Sequence, residues 1–174
     1  FSVNDIQGSA PAPIVLTGSA GAADGGGTDG GSDDSSWYSQ GNGWVITGGN
    51  VASSTLGSYE GSMSLTAVVL DDDGNNLAEL SNISGDSYTG DLLGVFDPTG
   101  GLRGVVHTTA PPFGTYAGQP QFLCLIGGVA DDNGSAFTLK LYDASSGSVI
   151  DINETVTFSV NDIQGSAPAP IVLT

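Results

Sequence analysis

The sequence contains almost no positive charge. Arg103 and Lys140 are its only strong bases against nineteen acids, and the formal net charge is −17. Nucleic acids and anionic membrane surfaces attract proteins through positive charge, so neither is an expected partner. Most of the acids are Asp residues in turn-like stretches. This composition fits a secreted protein in salty water or one that binds cations, because salt and bound ions reduce self-repulsion.

Cysteine, histidine and long apolar runs are also scarce. Cys124 is the only cysteine, which excludes a disulfide framework within the chain, and its apolar surroundings in QFLCLIGGV predict a buried thiol. The only histidine, His107, has no Ser or Cys nucleophile motif near it, and Asp residues in turns are usually solvated. An enzyme is therefore not expected. No apolar run reaches the roughly 20 residues that span a bilayer, so membrane insertion is not expected either.

One segment of seventeen residues occurs twice without a substitution. FSVNDIQGSAPAPIVLT fills positions 1–17 and returns at positions 158–174, an offset of 157 positions. This period is far longer than the solenoid repeats of about 20–50 residues, so the repeating element is a whole domain. We expect 18–174 to be one complete unit of a tandem array or fibre. Positions 1–17 are then the tail of the preceding unit or a strand exchanged with a neighbour.

Composition divides the chain into three parts. After the tail at 1–17, the Gly-, Ser- and Asp-rich stretch at 18–36 has too little apolar content to order itself and is expected to be a flexible linker. From 37 to 174, short apolar runs alternate with turn-forming clusters and show no helical period. This pattern predicts an all-β unit, an immunoglobulin-like antiparallel β-sandwich of about seven to nine strands, which includes the second copy at 158–174.

Several strands can be assigned from their alternation. Residues 63–70 place Met63, Leu65, Ala67 and Val69 on one face, the period of two of a half-buried strand. The turn sequence DDDGNN predicts a hairpin with a short return strand at 77–80. QFLCLIGGV is apolar on both faces and predicts a central strand.

Four stretches resemble an immunoglobulin-like repeat module found in large secreted and surface proteins of marine microbes. They are YEGSMSLTAVV at 59–69, DLLGVFDPTGGLRGVV at 91–106, FTLKLYDASSGSVIDINETVTF at 137–158 and GSAPAPIVL at 165–173. In that family they correspond to an opening strand, a hairpin, a turn and a terminal strand after proline. The resemblance implies a structural role at the cell surface or outside the cell and names no activity.

The leading functional prediction is a non-catalytic structural repeat of an extracellular fibre, appendage or adhesin whose partners are copies of itself. Exposed edge strands of a sandwich attract other strands, and an extended apolar tail is suited to adding to such an edge. The residues expected to carry assembly are the apolar positions of the two tail copies, Ile14, Val15, Leu16, Phe158, Ile171, Val172 and Leu173.

The alternative prediction is a surface module that binds carbohydrate, calcium or both. A sugar-stacking platform would use the aromatic residues Trp37, Tyr38, Trp44 and Tyr59, which equally suit the lid of a sandwich core. A Ca²⁺ site would use oxygen ligands around Gly74, namely Asp71, Asp73, Asn75 and Glu79, although their spacing departs from an EF-hand and also suits a plain hairpin turn. Three sequons offer glycan sites at Asn82, Asn133 and Asn153.

Overall fold

The computed structural model describes residues 35–38, 44–47, 50–53, 59–84 and 87–174. All of them belong to one compact unit that spans Asp34–Thr174. The predicted tail at 1–17 and nearly all of the predicted linker at 18–36 lie outside the described residues.

The described part of the chain consists of strands, turns and two short 3-10 segments, Ser35–Tyr38 and Ala130–Asp132, and it contains no α-helix. The all-β prediction is therefore confirmed. The strands are β1 Trp44–Thr47, β2 Asn50–Ser53, β3 Gly61–Val69, β4 Asn82–Ser84, β5 Ser87–Thr89, β6 Leu92–Phe96, β7 Leu102–Thr109, β8 Gln121–Gly128, β9 Ala136–Asp143, β10 Ser148–Thr157, β11 Ile163–Gln164 and β12 Ile171–Leu173.

Eight of these strands form one mixed sheet. Its order is β10-β9-β6-β7-β8-β3, and β11 and β12 both pair with β3. Neighbours among the first six strands are antiparallel, as predicted. The prediction is wrong for the last two, since β11 and β12 run parallel to β3. Parallel pairing needs a long connection that returns the chain to the same end, and the chain between β3 and β11 supplies it.

The sheet folds over at β7 and almost closes. Residues Leu102–His107 of β7 pair with β6, whereas Thr108 and Thr109 pair with β8. At the two outer strands, the Asn153 amide of β10 donates a 2.9 Å hydrogen bond to the Thr174 carbonyl, which follows β12. This amide is available because the β9–β10 register shifts between Asp151 and Thr155. The bulge therefore turns β10 toward the edge formed by β12.

The main core fills the space inside this curved sheet. Alternate residues of β3, β6, β8 and β9 point inward, and the predicted inward face of β3 is confirmed because all four of its residues are buried. The largest fully buried apolar side chains of this core are Phe122, Phe137, Phe158, Met63, Leu65, Leu93, Ile126, Leu139, Leu141 and Leu173. Two of these, Phe158 and Leu173, belong to the second copy of the repeated segment.

Strand β8 is central, as predicted, but only one of its faces is buried along its length. On the other face, Leu123 and Leu125 are 45% and 50% exposed. Their cross-strand partners on β3 are Thr66 and Ser64, whose small polar side chains do not cover the two leucines. The sequence of β8 alone does not contain the identity of those neighbours.

The predicted return strand at 77–80 is also wrong. The turn after β3 forms, with Gly74 at φ +82°, but the chain makes only one bridge, between Leu70 and Asn76. Beyond it, the amide of Glu79 donates to the carboxylate of Asp91 at 2.6 Å and finds no strand partner. Asp91 also accepts from the amide of Ala144, so this buried carboxylate joins two loops.

Candidate assembly site

The second copy of the repeated segment, Phe158–Thr174, lies in a groove that the rest of the unit forms along β3. At its start, the Phe158 ring is fully buried and stacks on Phe137, with ring centroids 5.1 Å apart. The ring occupies the space that a side chain at Gly128 would need. Backbone hydrogen bonds of 2.9 Å to Gly134 and Ser135 hold the same residue on both sides.

The next part of the segment follows β3 closely. Val160 packs on Gly61, where an added Cβ would lie 2.9 Å from both Val160 methyl groups. Asn161 has φ +64°, and its amide donates to the carbonyl of Ser62 at 2.7 Å. Asn tolerates this left-handed conformation better than most residues do. The turn brings Asp162 into line, and its carbonyl accepts from the amide of Ser64 at 3.0 Å.

The segment also passes close to the backbone of β3 at Gly165. Its φ is +71°, and a Cβ at this position would overlap the backbone carbonyl oxygen of Thr66. Both the conformation and the missing space require glycine here. No adjustment of a flexible side chain would relieve the overlap, because the opposing atom belongs to the backbone.

The loop between β7 and β8 covers the proline-containing part of the segment. The Thr115 amide donates to the Pro168 carbonyl at 3.4 Å, and the backbone of Ala167 and Pro168 fills the space that a side chain at Gly114 would need. From the first residue of β8, the fully buried side chain of Gln121 donates from Nε2 to the Ala167 carbonyl at 3.3 Å. The loop and the start of β8 therefore contact Ala167 and Pro168, between β11 and β12.

The end of the segment completes the sheet. Strand β12 pairs with the last residues of β3, Leu173 is fully buried, and its carbonyl accepts from the Leu70 amide at 2.9 Å. Thr174 is held by Glu154 of β10, whose two carboxylate oxygens accept from the Thr174 amide and hydroxyl, each at 2.7 Å. The bond from the Thr174 amide is the main cause that lowers the pKa of Glu154 below its usual range.

The predicted assembly residues divide into two groups. Phe158 and Leu173 are fully buried in the unit's own core. Ile171 and Val172 remain 38% and 43% exposed on the outermost strand beside β3. The residues of the first copy, Ile14, Val15 and Leu16, lie outside the described residues.

The candidate calcium ligands form a self-contained turn. The Asp71 carboxylate accepts from the amides of Asp73 and Asn75 and from the Asn75 side chain, and these bonds lower its pKa, the Asn75 side chain contributing most. Glu79 is exposed and has its backbone bonded to Asp91. In the part of the chain that the structure describes, no three His, Cys, Asp or Glu side chains form a group that could hold a metal ion.

The candidate carbohydrate residues do not form a common exposed surface among the described side chains. Trp37 is only 5% exposed and packs edge-on against Phe96, with ring centroids 5.6 Å apart. Tyr38 stacks on Tyr142, with centroids 4.2 Å apart. Tyr59 lies beneath the Arg103 guanidinium, 4.5 Å from its ring centroid. The side chain of Trp44 lies outside the described residues.

The three sequon asparagines are exposed, but they differ in their contacts. Asn82 begins β4, and Asn153 lies at the bulge of β10. The Asn133 side-chain oxygen accepts from the Val160 amide at 2.8 Å, so this residue contacts the repeated segment directly. A glycan on the nitrogen of Asn133 would emerge beside the start of the groove.

The reactive side chains are placed in the interior. Cys124 is buried, and burial raises the pKa of its thiol to about 12, so it is protonated at neutral pH. His107 is 4% exposed, and its Nδ1 lies 2.6 Å from the Thr108 carbonyl. In the described part of the chain no helix is long and apolar enough to cross a membrane.

Sequence reasoning missed most of the residues that form the groove. Glu154, Gly61, Gly114 and Gly128 lie on four different elements and carry no local motif. The only signal in the sequence was the repeated segment itself. It identifies the segment that occupies the groove but not the residues that form the groove. The search for relatives added no information on either side: no family model, curated protein or solved structure matched this chain.

Proposed function

We propose that this chain is a structural repeat of an extracellular fibre, appendage or adhesin, and that its units assemble head to tail through the repeated segment. One observation carries the proposal. The second copy of the segment supplies a buried aromatic residue, two strands and the final core leucine of the unit. The same segment recurs at the other end of the chain. We therefore infer that it links one unit to the next.

The fold proposed for each unit is an immunoglobulin-like sandwich, as the sequence resemblance implies. Support comes from β7, which pairs with β6 over its first part and with β8 over its last residues, as a strand that crosses between the two layers of a sandwich would. The strong acidity, with a net charge of −17, fits a surface or secreted location in salty water.

The direction of β12 suits a load-bearing unit. Tension along a fibre reaches β3 from its amino end and β12 from its carboxyl end. Because the two strands are parallel, this tension pulls them in opposite directions along their common axis and loads their hydrogen bonds together in shear. The bonds from Thr174 to Glu154 add a second attachment at the point where the load enters.

Two arrangements satisfy the proposal. In a tandem polyprotein, 1–17 completes the preceding unit of the same chain, and 158–174 completes this one. In a strand-exchange fibre, the first copy completes a unit of a neighbouring molecule. The identity of the two copies favours the polyprotein, because equal sequence implies equal surroundings.

Electron microscopy of the native material that contains this chain tests the function. We expect filaments with a regular axial repeat, and partial proteolysis should release fragments that differ by multiples of one period of 157 residues if the units are covalently joined. Dispersed single particles in the native material would overturn the proposal of a fibre.

A further inference from the structure

The groove along β3 selects its occupant residue by residue. Two of its glycines, Gly128 and Gly61, leave room for the side chains of Phe158 and Val160, and a third, Gly114, leaves room for the backbone at Ala167 and Pro168. It also requires two special backbone conformations of the occupant, at Asn161 and at Gly165. An apolar strand of arbitrary sequence would fill few of these positions.

The first copy of the segment satisfies every one of these requirements. The four residues that correspond to the selected positions are Phe1, Val3, Asn4 and Gly8. Leu16 and Thr17 likewise correspond to the buried Leu173 and to the Thr174 that Glu154 holds. Nothing in the sequence of the first copy therefore prevents it from filling the same groove.

We infer that the groove along β3 is a specific binding site for the segment FSVNDIQGSAPAPIVLT. When the second copy leaves the groove of its own molecule, the first copy of another molecule occupies that groove. This inference rests on the proposed function and identifies the site and the partner. The unit's own second copy competes for the same site, and its covalent attachment gives it a high effective concentration, on the order of millimolar for a flexible tether. Exchange is therefore expected only when the second copy is weakened.

The two copies permit matched variants. Gly165→Val weakens the second copy at the position where a side chain meets the Thr66 carbonyl, and Gly8→Val makes the same change in the first copy. In the Gly165→Val chain the groove is released while the first copy stays intact. We expect this variant to form oligomers that grow with concentration, as measured by size-exclusion chromatography with light scattering.

The controls define each outcome. Adding Gly8→Val to Gly165→Val should abolish the oligomers, and free peptide FSVNDIQGSAPAPIVLT should dissolve those of the single variant at least tenfold better than a peptide with Val at its eighth position. Gly165→Val chains that stay monomeric and folded whether or not Gly8 is replaced would overturn the inference. A folded monomer that depends on Gly8 would overturn it as well, because the first copy would then occupy the groove of its own chain.

Thermal melting covers the case in which the double variant is poorly folded. The unaltered peptide should raise its melting temperature, and the Val-substituted peptide should leave it unchanged; equal effects of the two peptides would contradict the inference. The outcome of the peptide-binding test can be distinguished from the outcome of the test for native filaments. Native filaments without selective peptide binding would reject this site alone, whereas selective binding without native filaments would reject the fibre alone.

Discussion

At the scale of single residues, Arg103 joins three parts of the unit. Its Nε bonds to Asp97 at 2.7 Å, and its Nη1 bonds to Asp132 at 3.1 Å. The guanidinium also lies over the ring of Tyr59. Burial of Asp97, which alone would raise its pKa, is outweighed by hydrogen bonds from Thr99, Arg103 and Gly101, so that the pKa of Asp97 falls to about 2. The carboxylate is therefore charged, buried and dependent on its donors.

Replacing the two bases of the chain separately tests this assignment. Arg103→Ala leaves the buried Asp97 without its cation, and we expect it to lower the free energy of unfolding by about 3 kcal/mol. Lys140→Ala is the matched control, because Lys140 pairs with an Asp151 side chain that is 81% exposed, and such pairs contribute less than about 1 kcal/mol. Urea denaturation measures both variants. Equal losses would show that Arg103 has no special role.

At the scale of elements, the 3-10 segment Ser35–Tyr38 forms a second small core on the outer face of the sheet. The Trp37 indole lies against β6 and β7, where Leu92, Phe96 and Val105 are buried with it. Gly94 makes this contact possible, since an added Cβ would lie 2.7 Å from two Trp37 ring carbons. Strand β6 is consequently buried on both faces.

This packing predicts a strong coupling between Gly94 and Trp37. Gly94→Ala should destabilise the unit by about 1–3 kcal/mol, because the new methyl group overlaps the indole. In a Trp37→Ala background the same substitution should cost almost nothing, since the indole is absent. A double-mutant cycle measured by chemical denaturation gives the coupling energy. A cost of Gly94→Ala that stays the same in both backgrounds would place its origin in the backbone.

Elements with a local period were predictable from the sequence, and elements defined by distant partners were not. The alternation of β3 depends only on its own residues and predicted its buried face. Leu123 and Leu125 are exposed because their cross-strand partners on β3 are small and polar. The alternation within β8 contains no information about the residues of its neighbouring strand. The parallel course of β12 depends on which edge the chain returns to. The groove was unpredictable for the same reason, because Glu154 meets Thr174 from a different strand.

At the scale of the whole molecule, two electrostatic effects act over different ranges. The net charge of −17 produces repulsion among exposed acids throughout the chain, which salt screens. Several carboxylates are instead stabilised by adjacent donors. Hydrogen bonds lower the pKa values of Asp71, Asp97, Asp143 and Glu154, the leading bonds at the last two coming from Ser146 and Thr174. These local bonds should respond to pH and only weakly to salt.

The two effects predict a distinct dependence of stability on salt and on pH. At pH 7, raising NaCl from about 10 mM to about 0.15 M shortens the screening length from about 30 Å to about 8 Å and should raise the melting temperature. Below pH 4 the sign comes from the lowered pKa values. A carboxylate whose folded pKa is depressed stabilises the unit above its unfolded pKa, near 4, and loses that contribution as the pH falls through its folded pKa. Stability should therefore decline between about pH 4 and pH 2 at either salt concentration.

Asp97 should account for a large share of that decline. Its folded pKa of about 2 corresponds to a contribution on the order of 2 kcal/mol, which Asp97→Asn would remove from the pH dependence. The variant is expected to be less stable at pH 7, and its free energy of unfolding should change correspondingly less between pH 4 and pH 2. Urea unfolding across this range measures both slopes. A decline that Asp97→Asn leaves unchanged would attribute the acid sensitivity to other carboxylates and not to Asp97.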